Sequence, residues 1–281
     1  MWILLVLFYG VAKGVREIVK KKSIEKNSVI EVLVFYTFIS FVMVLPDAPN
    51  AGGITLEQGF WIAFKSFVIF VAWICSFRAI KHLPISFYGI LDLSRVLFAT
   101  LLGVFVLKET MGLFQSVGLV LVLLGLLLLK ARKKSSAKEE VIATKYVILA
   151  FTSCILNAVS GLMDKILMKE VTSSQLQFWY MLFLVSYYLL YVLFTRTKLR
   201  VKSLLKNYWI YVLSLLFVLA DRALFVANAD PASKVTIMTL IKQSGCVVTI
   251  LAGKFIFKEK NIGYKLLCAG IIVSGIVIAV L

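Results

Sequence analysis

Strongly apolar stretches recur from one end of the chain to the other, separated by short charged or Pro- and Gly-containing segments. A helix needs about 20 mainly apolar residues to cross a bilayer, and ten stretches meet this requirement. The pattern therefore predicts an all-α polytopic membrane protein. The ten predicted transmembrane helices are Trp2–Val19, Val29–Leu45, Phe60–Ile80, Ile85–Leu107, Leu113–Leu129, Tyr146–Met168, Leu176–Phe194, Tyr208–Ala227, Ala232–Phe257 and Ile262–Leu281.

The second half of the chain repeats the first. Three residue pairs lie 147 positions apart, namely Gly14 with Gly161, Pro84 with Pro231, and Arg95 with Lys242. Each half, residues 1–130 and 146–281, then holds five predicted helices, and residues 131–145 form a basic linker. Because five is an odd number, the two halves enter the membrane from opposite sides. The sequence therefore predicts two inverted five-helix repeats.

Composition agrees with a membrane protein and explains the charge. The chain of 281 residues is 61% hydrophobic and only 16% charged, with a net charge of +17, whereas soluble domains are about 45–50% apolar and about 25% charged. The basic residues stand in short clusters between apolar stretches. This placement indicates loops that face the cytoplasm and anionic lipid, and it argues against nucleic acid as a partner.

Loop charge predicts the orientation. The odd-numbered loops carry almost all of the basic loop residues, whereas the even-numbered loops carry only Lys108 and Lys169. By the positive-inside rule the odd loops are cytoplasmic, so both termini are expected outside the cell membrane.

Two segments in equivalent positions of the halves share a pattern. Ala79–Glu109 and Val226–Glu259 each contain a Pro, a small residue and Ser, then polar residues at mid-membrane depth, and each ends in Glu before a Gly-containing helix. This pattern resembles the EamA family of the drug/metabolite transporter superfamily, and the resemblance covers nearly the whole chain in two copies.

The resemblance implies a ten-helix bundle around a central cavity, alternating access, and a substrate bound near the membrane midplane. The third, fourth, eighth and ninth helices would line the cavity, with help from the first and sixth. The fifth and tenth would be peripheral and could form contacts between protomers, so a homodimer is one expected assembly. Usual members have cytoplasmic termini and a basic loop after the second helix, whereas Pro46–Gln58 here carries Asp47 and Glu57 and no basic residue.

Charged residues within the predicted helices are the candidates for function. A charge at the bilayer centre costs at least ~2.5–3.5 kcal/mol on insertion scales, so such residues usually serve a purpose. The candidates are Lys13, Arg16, Glu17, Lys65, Asp92, Arg95, Asp164, Asp221, Arg222 and Lys242.

Arg95 and Lys242 are the central pair among these candidates. As repeat equivalents they are expected to face one cavity from opposite sides, which suits an anionic or zwitterionic substrate such as a carboxylate or phosphate. Asp92 precedes Arg95 by three residues and shares its helix face. The two residues form either an internal salt bridge that fixes packing or a binding-site cation with a counter-ion that is displaced during transport.

The other substrate-binding candidates are polar or aromatic. Asp221 could neutralise Lys242, while the adjacent Arg222 is expected to be structural. Asn157 lies in the predicted sixth helix beside small residues. Trp73 and Tyr88 could wall the cavity.

A further set could serve gating or proton coupling. Glu17 and Asp164 are 147 positions apart and therefore repeat equivalents. Arg16 joins them as a gating candidate. The alternative for Arg16, Glu17 and Lys13 is that they extend to the membrane interface, and the same is expected of Lys65.

The absence of several motifs from the sequence argues against some classes of function. There is no Walker motif, so ATP is not the expected energy source, and no cofactor or metal is expected. We expect a secondary transporter of a small polar, anionic or zwitterionic metabolite, working as an exporter or exchanger. A flippase for a lipid-linked anionic head group is the alternative. An intramembrane enzyme is disfavoured because the single histidine, His82, lies at a helix end, and a channel is disfavoured because polar residues do not form repeated rings.

The predicted orientation is testable by labelling. A cysteine placed in the Lys130–Lys145 linker is expected to resist a membrane-impermeant thiol reagent in intact cells and to react once the membrane is permeabilised. Labelling from outside intact cells would contradict the assignment of both termini to the exterior.

Overall fold

The computed structural model describes residues 2–107, 112–131, 144–230, 233, 238, 241–242, 244–259 and 262–278, and within these ranges the chain is helical and contains no strand. Five helical segments in these ranges are long and apolar enough to cross a membrane, beginning at Val29, Leu56, Thr144, Ser173 and Tyr208. A 3-10 helix, Leu45–Asn50, follows α2. The α-helices are α1 (Trp2–Ser23), α2 (Val29–Val44), α3 (Leu56–His82), α4 (Ile85–Asp92), α5 (Arg95–Leu107), α6 (Leu113–Ala131), α7 (Thr144–Leu167), α8 (Ser173–Thr195), α9 (Val201–Leu205), α10 (Tyr208–Ala229), α11 (Ser244–Phe255) and α12 (Ile262–Ile278).

The predicted fourth helix is broken, which corrects the expectation of one helix over Ile85–Leu107. α4 ends at Asp92, a turn follows at Leu93 and Ser94, and α5 begins at Arg95. The backbone here switches to shorter-range bonds, with Leu93 N donating to Ile90 O (3.1 Å) and Ser94 N to Leu91 O (3.0 Å). Neither Pro nor Gly marks the turn, although Asp and Ser side chains compete with the helical backbone for hydrogen bonds.

Most other helices begin and end within a few residues of their predicted bounds. In the described part of the predicted ninth helix, the helical residues are α11 together with Met238, Ile241 and Lys242. Pro231, Lys108, Glu109 and most of the predicted linker lie outside the described residues.

Helix contacts recur between the two parts of the chain. α1 packs against α10 and α11, and α7 packs correspondingly against α3 and α5. α2 contacts α10 while α8 contacts α3, and α2 and α8 also pack against each other, as do α6 and α12. Each contact has a counterpart when the helices before the linker are exchanged for those after it.

Glycines bring α1 and α11 into backbone contact. A Cβ on Gly14 would lie 2.7 Å from Gly245 O, and a Cβ on Gly245 would lie 2.6 Å from Gly10 O. This is the close approach that small residues allow between membrane helices. Gly161, the repeat equivalent of Gly14, has no atom within 4 Å of the position its Cβ would take. Of these two glycines, only Gly14 therefore makes a close backbone contact.

A similar contact joins the two outer helices, α6 and α12. A Cβ on Gly275 would lie 2.8 Å from Gly118 O, and one on Gly125 would lie 3.1 Å from Cys268 O. Gly118, Gly125 and Gly275 therefore serve packing between the outer helices, whereas Gly270 borders open space.

Glu259, in the loop between α11 and α12, caps the N-terminus of α4. Its carboxylate accepts hydrogen bonds from Ile85 N (2.6 Å) and from the hydroxyl of Ser86, and Lys265 Nζ lies 3.1 Å away. Burial raises the pKa of Glu259, but the hydrogen bond from Ser86 and the charge of Lys265 outweigh it and hold that pKa below its usual range. α4 is thus held by a charged residue from the other half of the chain.

The glycine contact between α1 and α11 predicts opposite effects at two repeat-equivalent positions. Gly14→Ala is expected to lower the melting temperature of the detergent-purified protein, because overpacking costs about 1–3 kcal/mol. Gly161→Ala is the matched control and is expected to leave the melting temperature unchanged or to raise it, since Ala favours helix over Gly. Equal melting temperatures for the two variants would contradict the backbone contact.

Candidate functional site

Ten charged side chains meet inside the helix bundle, and we call this set the ionisable cluster. All ten are buried or half-buried, and each interacts electrostatically with at least one other member. The cluster consists of Lys13, Arg16, Glu17, Lys20, Lys65, Asp92, Arg95, Asp164, Asp221 and Lys242.

Asp92 lies between two cations from different helices. Arg95 Nη2 donates to Asp92 Oδ1 at 2.9 Å, and the other carboxylate oxygen accepts from Lys13 Nζ. The turn at Leu93 and Ser94 keeps Asp92 and Arg95 within this distance although they belong to separate helices. Lys13 reaches across from α1, so the expectation that it extends to the membrane interface is wrong. A buried lysine needs a counter-charge, and Asp92 provides it.

Two further ion pairs cross between the halves of the chain. Arg16 on α1 pairs with Asp221 on α10 at 3.2 Å, and Lys65 on α3 pairs with Asp164 on α7 at 2.9 Å. Lys65 is only 2% exposed, and its ammonium lies 3.7 Å from the centre of the Tyr180 ring. The interfacial placement expected for Lys65 and Arg16 is therefore wrong. Asp221 pairs with Arg16 and not with Lys242.

Glu17 finds its partner on its own helix. Lys20 Nζ lies 2.7 Å from Glu17 Oε1 and 3.2 Å from Ser76 Oγ, and the Ser76 hydroxyl shares a hydrogen bond of 2.7 Å with Tyr88. Tyr88 is thereby linked through Ser76 to Lys20 at the edge of the cluster. The repeat equivalents Glu17 and Asp164 have different partners, so the two halves do not share one pairing scheme.

Lys242 is the least compensated member of the cluster. It lies close enough to Arg95, Lys13, Asp164 and Asp221 to interact with all four electrostatically, yet it forms no ion pair with any carboxylate among the described residues. Its ammonium lies 5.7 Å from the centre of the Tyr9 ring. Lys242 therefore interacts electrostatically with Arg95, which lies 147 positions earlier in the chain.

The cluster carries excess positive charge. In their ordinary protonation states its ten members comprise six cations and four carboxylates, which leaves two positive charges without compensation. Like charges repel strongly at short range in a low-dielectric interior. An anion bound near Arg95 and Lys242 would relieve this repulsion, so the electrostatics favour a negatively charged ligand.

A narrow cavity of about 10 Å³, with room for about one water molecule, adjoins the cluster between α1, α4 and α11. Lys13, Glu17, Tyr88, Asp92 and Thr249 contribute to its walls. Backbone contact at Gly14 and Gly245 closes one side, because both glycines also line the cavity.

The other candidate residues lie at or beyond the edge of the cluster. Trp73 stacks on Tyr36, with ring centres 5.2 Å apart, and meets Phe217 edge-on at 5.1 Å. Phe217 in turn lies 5.3 Å from the Arg16 guanidinium. Trp73 therefore supports the ionisable cluster through Phe217. Asn157 donates to Ser153 O of its own helix at 2.7 Å.

Arg222 and His82 lie away from the cluster. Arg222 pairs with Asp47 at 2.6 Å and donates to Ser174 Oγ at 2.7 Å, in line with the structural role expected for it. His82 lies exposed at the end of α3 and stacks on Tyr146 with ring centres 4.0 Å apart.

Lys20 follows the predicted first helix, which ends at Val19, so the sequence analysis did not identify it as a buried charge. α1 continues to Ser23, so Lys20 is helical and only 7% exposed. The spacing of Lys13, Glu17 and Lys20 along one helical face was a usable signal, since residues three or four apart are neighbours on a helix.

The Lys65–Asp164 pair predicts non-additive effects on stability. Lys65→Met and Asp164→Leu are each expected to lower the melting temperature, because removing one partner of a buried pair costs about 3–5 kcal/mol. The double variant is expected to recover most of the loss, because no unpaired charge remains. Lys22→Met is the control, since its pair with Glu25 is exposed and such pairs are worth about 0–1 kcal/mol. Additive losses in the double variant would contradict the pairing.

Comparison with solved structures supports the fold. One crystal structure is similar over 100% of this chain and 98% of that chain, with a TM-score of 0.70 at 15% sequence identity. At this identity the similarity shows a shared fold alone. No curated protein matches the chain significantly in sequence.

Comparison with protein families identifies the class. The EamA-like transporter family matches residues 1–131, the part of the chain that contributes α1 to α6 and, with them, seven of the ten cluster members. The predicted family is thereby confirmed over residues 1–131, which are similar to EamA-like transporters of the drug/metabolite transporter superfamily.

Proposed function

We propose that this protein is a secondary transporter that moves a small anionic or zwitterionic metabolite across the cell membrane by alternating access. The observation that carries the proposal is the ionisable cluster, in which Arg95 and Lys242 lie in one environment with two uncompensated positive charges. Buried charge at membrane depth is costly and marks substrate pathways in membrane proteins. In this proposal Arg95 and Lys242 bind the substrate, while Asp92 and Asp221 balance charge beside it.

The proposed architecture is two inverted five-helix halves, residues 1–130 and 146–281, joined by residues 131–145. In the first half α4 and α5 together form one broken crossing, and the segment that ends in α11 is its counterpart. The recurrence of helix contacts on exchange of the halves supports this arrangement. So does the family match, which ends at residue 131.

The ion pairs between the two halves of the chain are suited to act as gates of the transport pathway. Arg16–Asp221 joins α1 to α10, and Lys65–Asp164 joins α3 to α7, which are corresponding contacts in the two halves. In the proposed cycle one of these contacts opens while the other stays closed. Protonation of Asp164 or Asp221 would release its cation, which gives the cycle a route to proton coupling. Exchange of one metabolite for another is the alternative coupling.

The direction of transport in this proposal is export or exchange. The partners in this proposal are the lipid bilayer and the metabolite. A second copy of the chain could pack on α6 and α12, which contact mainly each other.

The proposal predicts loss of transport at two positions. Arg95→Gln and Lys242→Gln are each expected to lower the initial rate of uptake into proteoliposomes about tenfold or more, because a hydrogen bond to a charged group is worth about 1.5–3 kcal/mol. The radiolabelled probes are glycerol 3-phosphate, succinate and glutamate, with the cation putrescine as a counter-probe that should not be transported.

The control is Lys254→Gln, which removes an exposed cation on α11 outside the cluster. It is expected to transport like the unmodified protein. Size-exclusion chromatography of each variant checks that the fold is retained. Full rates in both Arg95→Gln and Lys242→Gln would remove the proposed substrate site, and uptake of putrescine alone would reverse the assigned charge of the substrate.

A further inference from the structure

The loop between α8 and α10 carries a dense positive charge at the edge of the helix bundle. Residues 196–206 contain no acidic residue and five basic ones, namely Arg196, Lys198, Arg200, Lys202 and Lys206. Arg200 pairs with Glu31 at 2.9 Å. The other four are exposed, and none of them forms an ion pair with a carboxylate among the described residues. Four neighbouring cations therefore lack a counter-charge within the described part of the protein.

Hydrogen bonds fix this loop to the ends of α1 and α2. The carboxylate of Glu31, in the first turn of α2, accepts from Arg200 N at 2.9 Å, from Nε at 3.0 Å and from Nη2 at 2.9 Å. Asn207 Nδ2 donates at 2.8 Å to the carbonyl oxygen of Ser23, the last residue of α1. Leu204 on α9 is buried, with 1% of its surface exposed. The four exposed cations are thus presented from a backbone that is held in place.

Apolar side chains stand exposed beside these cations. Val201 and Leu205 on α9 are four residues apart, so they share one face of the helix. They are 50% and 53% exposed. Lys202 and Lys206 each follow one of them directly in the chain, so basic side chains border the apolar face. α9 therefore presents a small amphipathic surface to its surroundings.

α9 lies where the membrane meets water. α8 ends at Thr195 and α10 begins at Tyr208, and both helices are long and apolar enough to cross a membrane. Phe194, in the last turn of α8, is 86% exposed, and Tyr208 is 60% exposed. Exposed aromatic residues at helix ends are typical of the membrane interface. An apolar face beside basic residues is likewise typical of helices that lie in this interface.

We propose that this loop binds the head group of an anionic phospholipid, with Lys198, Lys202 and Lys206 at the phosphate and Val201 and Leu205 against the acyl chains. Long lysine side chains can lie along an apolar surface and still place their charge at the head groups. The lipid belongs to the leaflet on the side of the odd-numbered loops, which is predicted to be cytoplasmic. That leaflet carries a negative surface potential. The site lies outside the ionisable cluster and does not depend on the proposed transport of a metabolite.

The equivalent loop of the first half lacks this charge. The repeat spacing of 147 places residues 196–206 opposite residues 49–59, where Glu57 is the only charged residue. The basic loop is therefore a property of one side of the molecule and not of the repeat. A soluble anion or an acidic protein would account for the cations but not for the exposed Val201 and Leu205 beside them. A phospholipid accounts for both.

Native mass spectrometry of the detergent-purified protein tests the lipid site. The probes are phosphatidylglycerol and phosphatidylcholine with identical acyl chains, and glycerophosphoglycerol as the anionic head group without chains. We expect phosphatidylglycerol to bind at least about tenfold more tightly than phosphatidylcholine, because each basic residue near an anionic surface contributes a factor of about five. Lys198→Gln combined with Lys202→Gln is expected to weaken the binding of phosphatidylglycerol about tenfold or more and to leave that of phosphatidylcholine unchanged.

The matched control removes two exposed lysines from the same predicted side of the membrane, Lys81 at the end of α3 and Lys145 at the start of α7. Lys81→Gln combined with Lys145→Gln lowers the net charge by the same amount and is expected to bind phosphatidylglycerol like the unmodified protein. The substituted lysines of both variants are exposed, so the fold is expected to be retained, and size-exclusion chromatography checks this.

A loss of phosphatidylglycerol binding that is confined to the α9 variant supports the lipid site. Equal affinity for the two lipids, or equal losses in the α9 variant and the control, overturns it and leaves the basic residues as a signal for membrane orientation. Glycerophosphoglycerol binding as tightly as phosphatidylglycerol also overturns it, because the loop would then take a soluble anion.

Discussion

The pairing of charges inside the helix bundle is the constraint on which the rest of the structure depends. A buried lysine, arginine or carboxylate is tolerated only beside a partner, so each charge that the chain carries to membrane depth dictates which helices must meet. The ion pairs of Lys13 and Arg16 join α1 to α4 and to α10, and the ion pair of Lys65 joins α3 to α7. These pairs specify the helix arrangement more narrowly than apolar packing can, because lipid and apolar side chains are nearly equivalent surroundings. Lys242 is the cluster cation that forms no ion pair with a carboxylate among the described residues.

Much of the fold could be predicted from the sequence, because spanning length and repeat spacing are properties of the chain itself. The helix bounds, the buried charges at Asp92, Asp164 and Asp221, and the proximity of Asp92 to Arg95 follow from apolar periodicity and from residue spacing. The choice of partners could not be predicted in the same way. Whether Asp221 neutralises Arg16 or Lys242 depends on which helices are adjacent, and several carboxylates could reach several cations. The break at Leu93 and Ser94 also escaped prediction, because the usual helix-breaking residues are missing.

The two halves of the chain differ in the contacts made by residues 147 positions apart. Gly14 is pressed against α11, while Gly161 at the equivalent position is open. Glu17 pairs with the neighbouring Lys20, while Asp164 at the equivalent position pairs across the bundle with Lys65. Equivalent helices therefore meet, but with different side chains at their contacts. If the halves open in turn as proposed, these unequal contacts give each opening its own strength.

The uncompensated charge of the cluster has an electrical consequence. If the halves rock around this site as proposed, the unloaded carrier turns over with two positive charges at its centre, whereas a carrier loaded with a dianion turns over nearly neutral. Moving one elementary charge through a membrane voltage of 100 mV changes the free energy by about 2.3 kcal/mol. Return of the empty form would then depend on voltage and be slow, and return of the occupied form would not. Such a carrier would exchange one anion for another, at a rate that depends little on the resting membrane voltage.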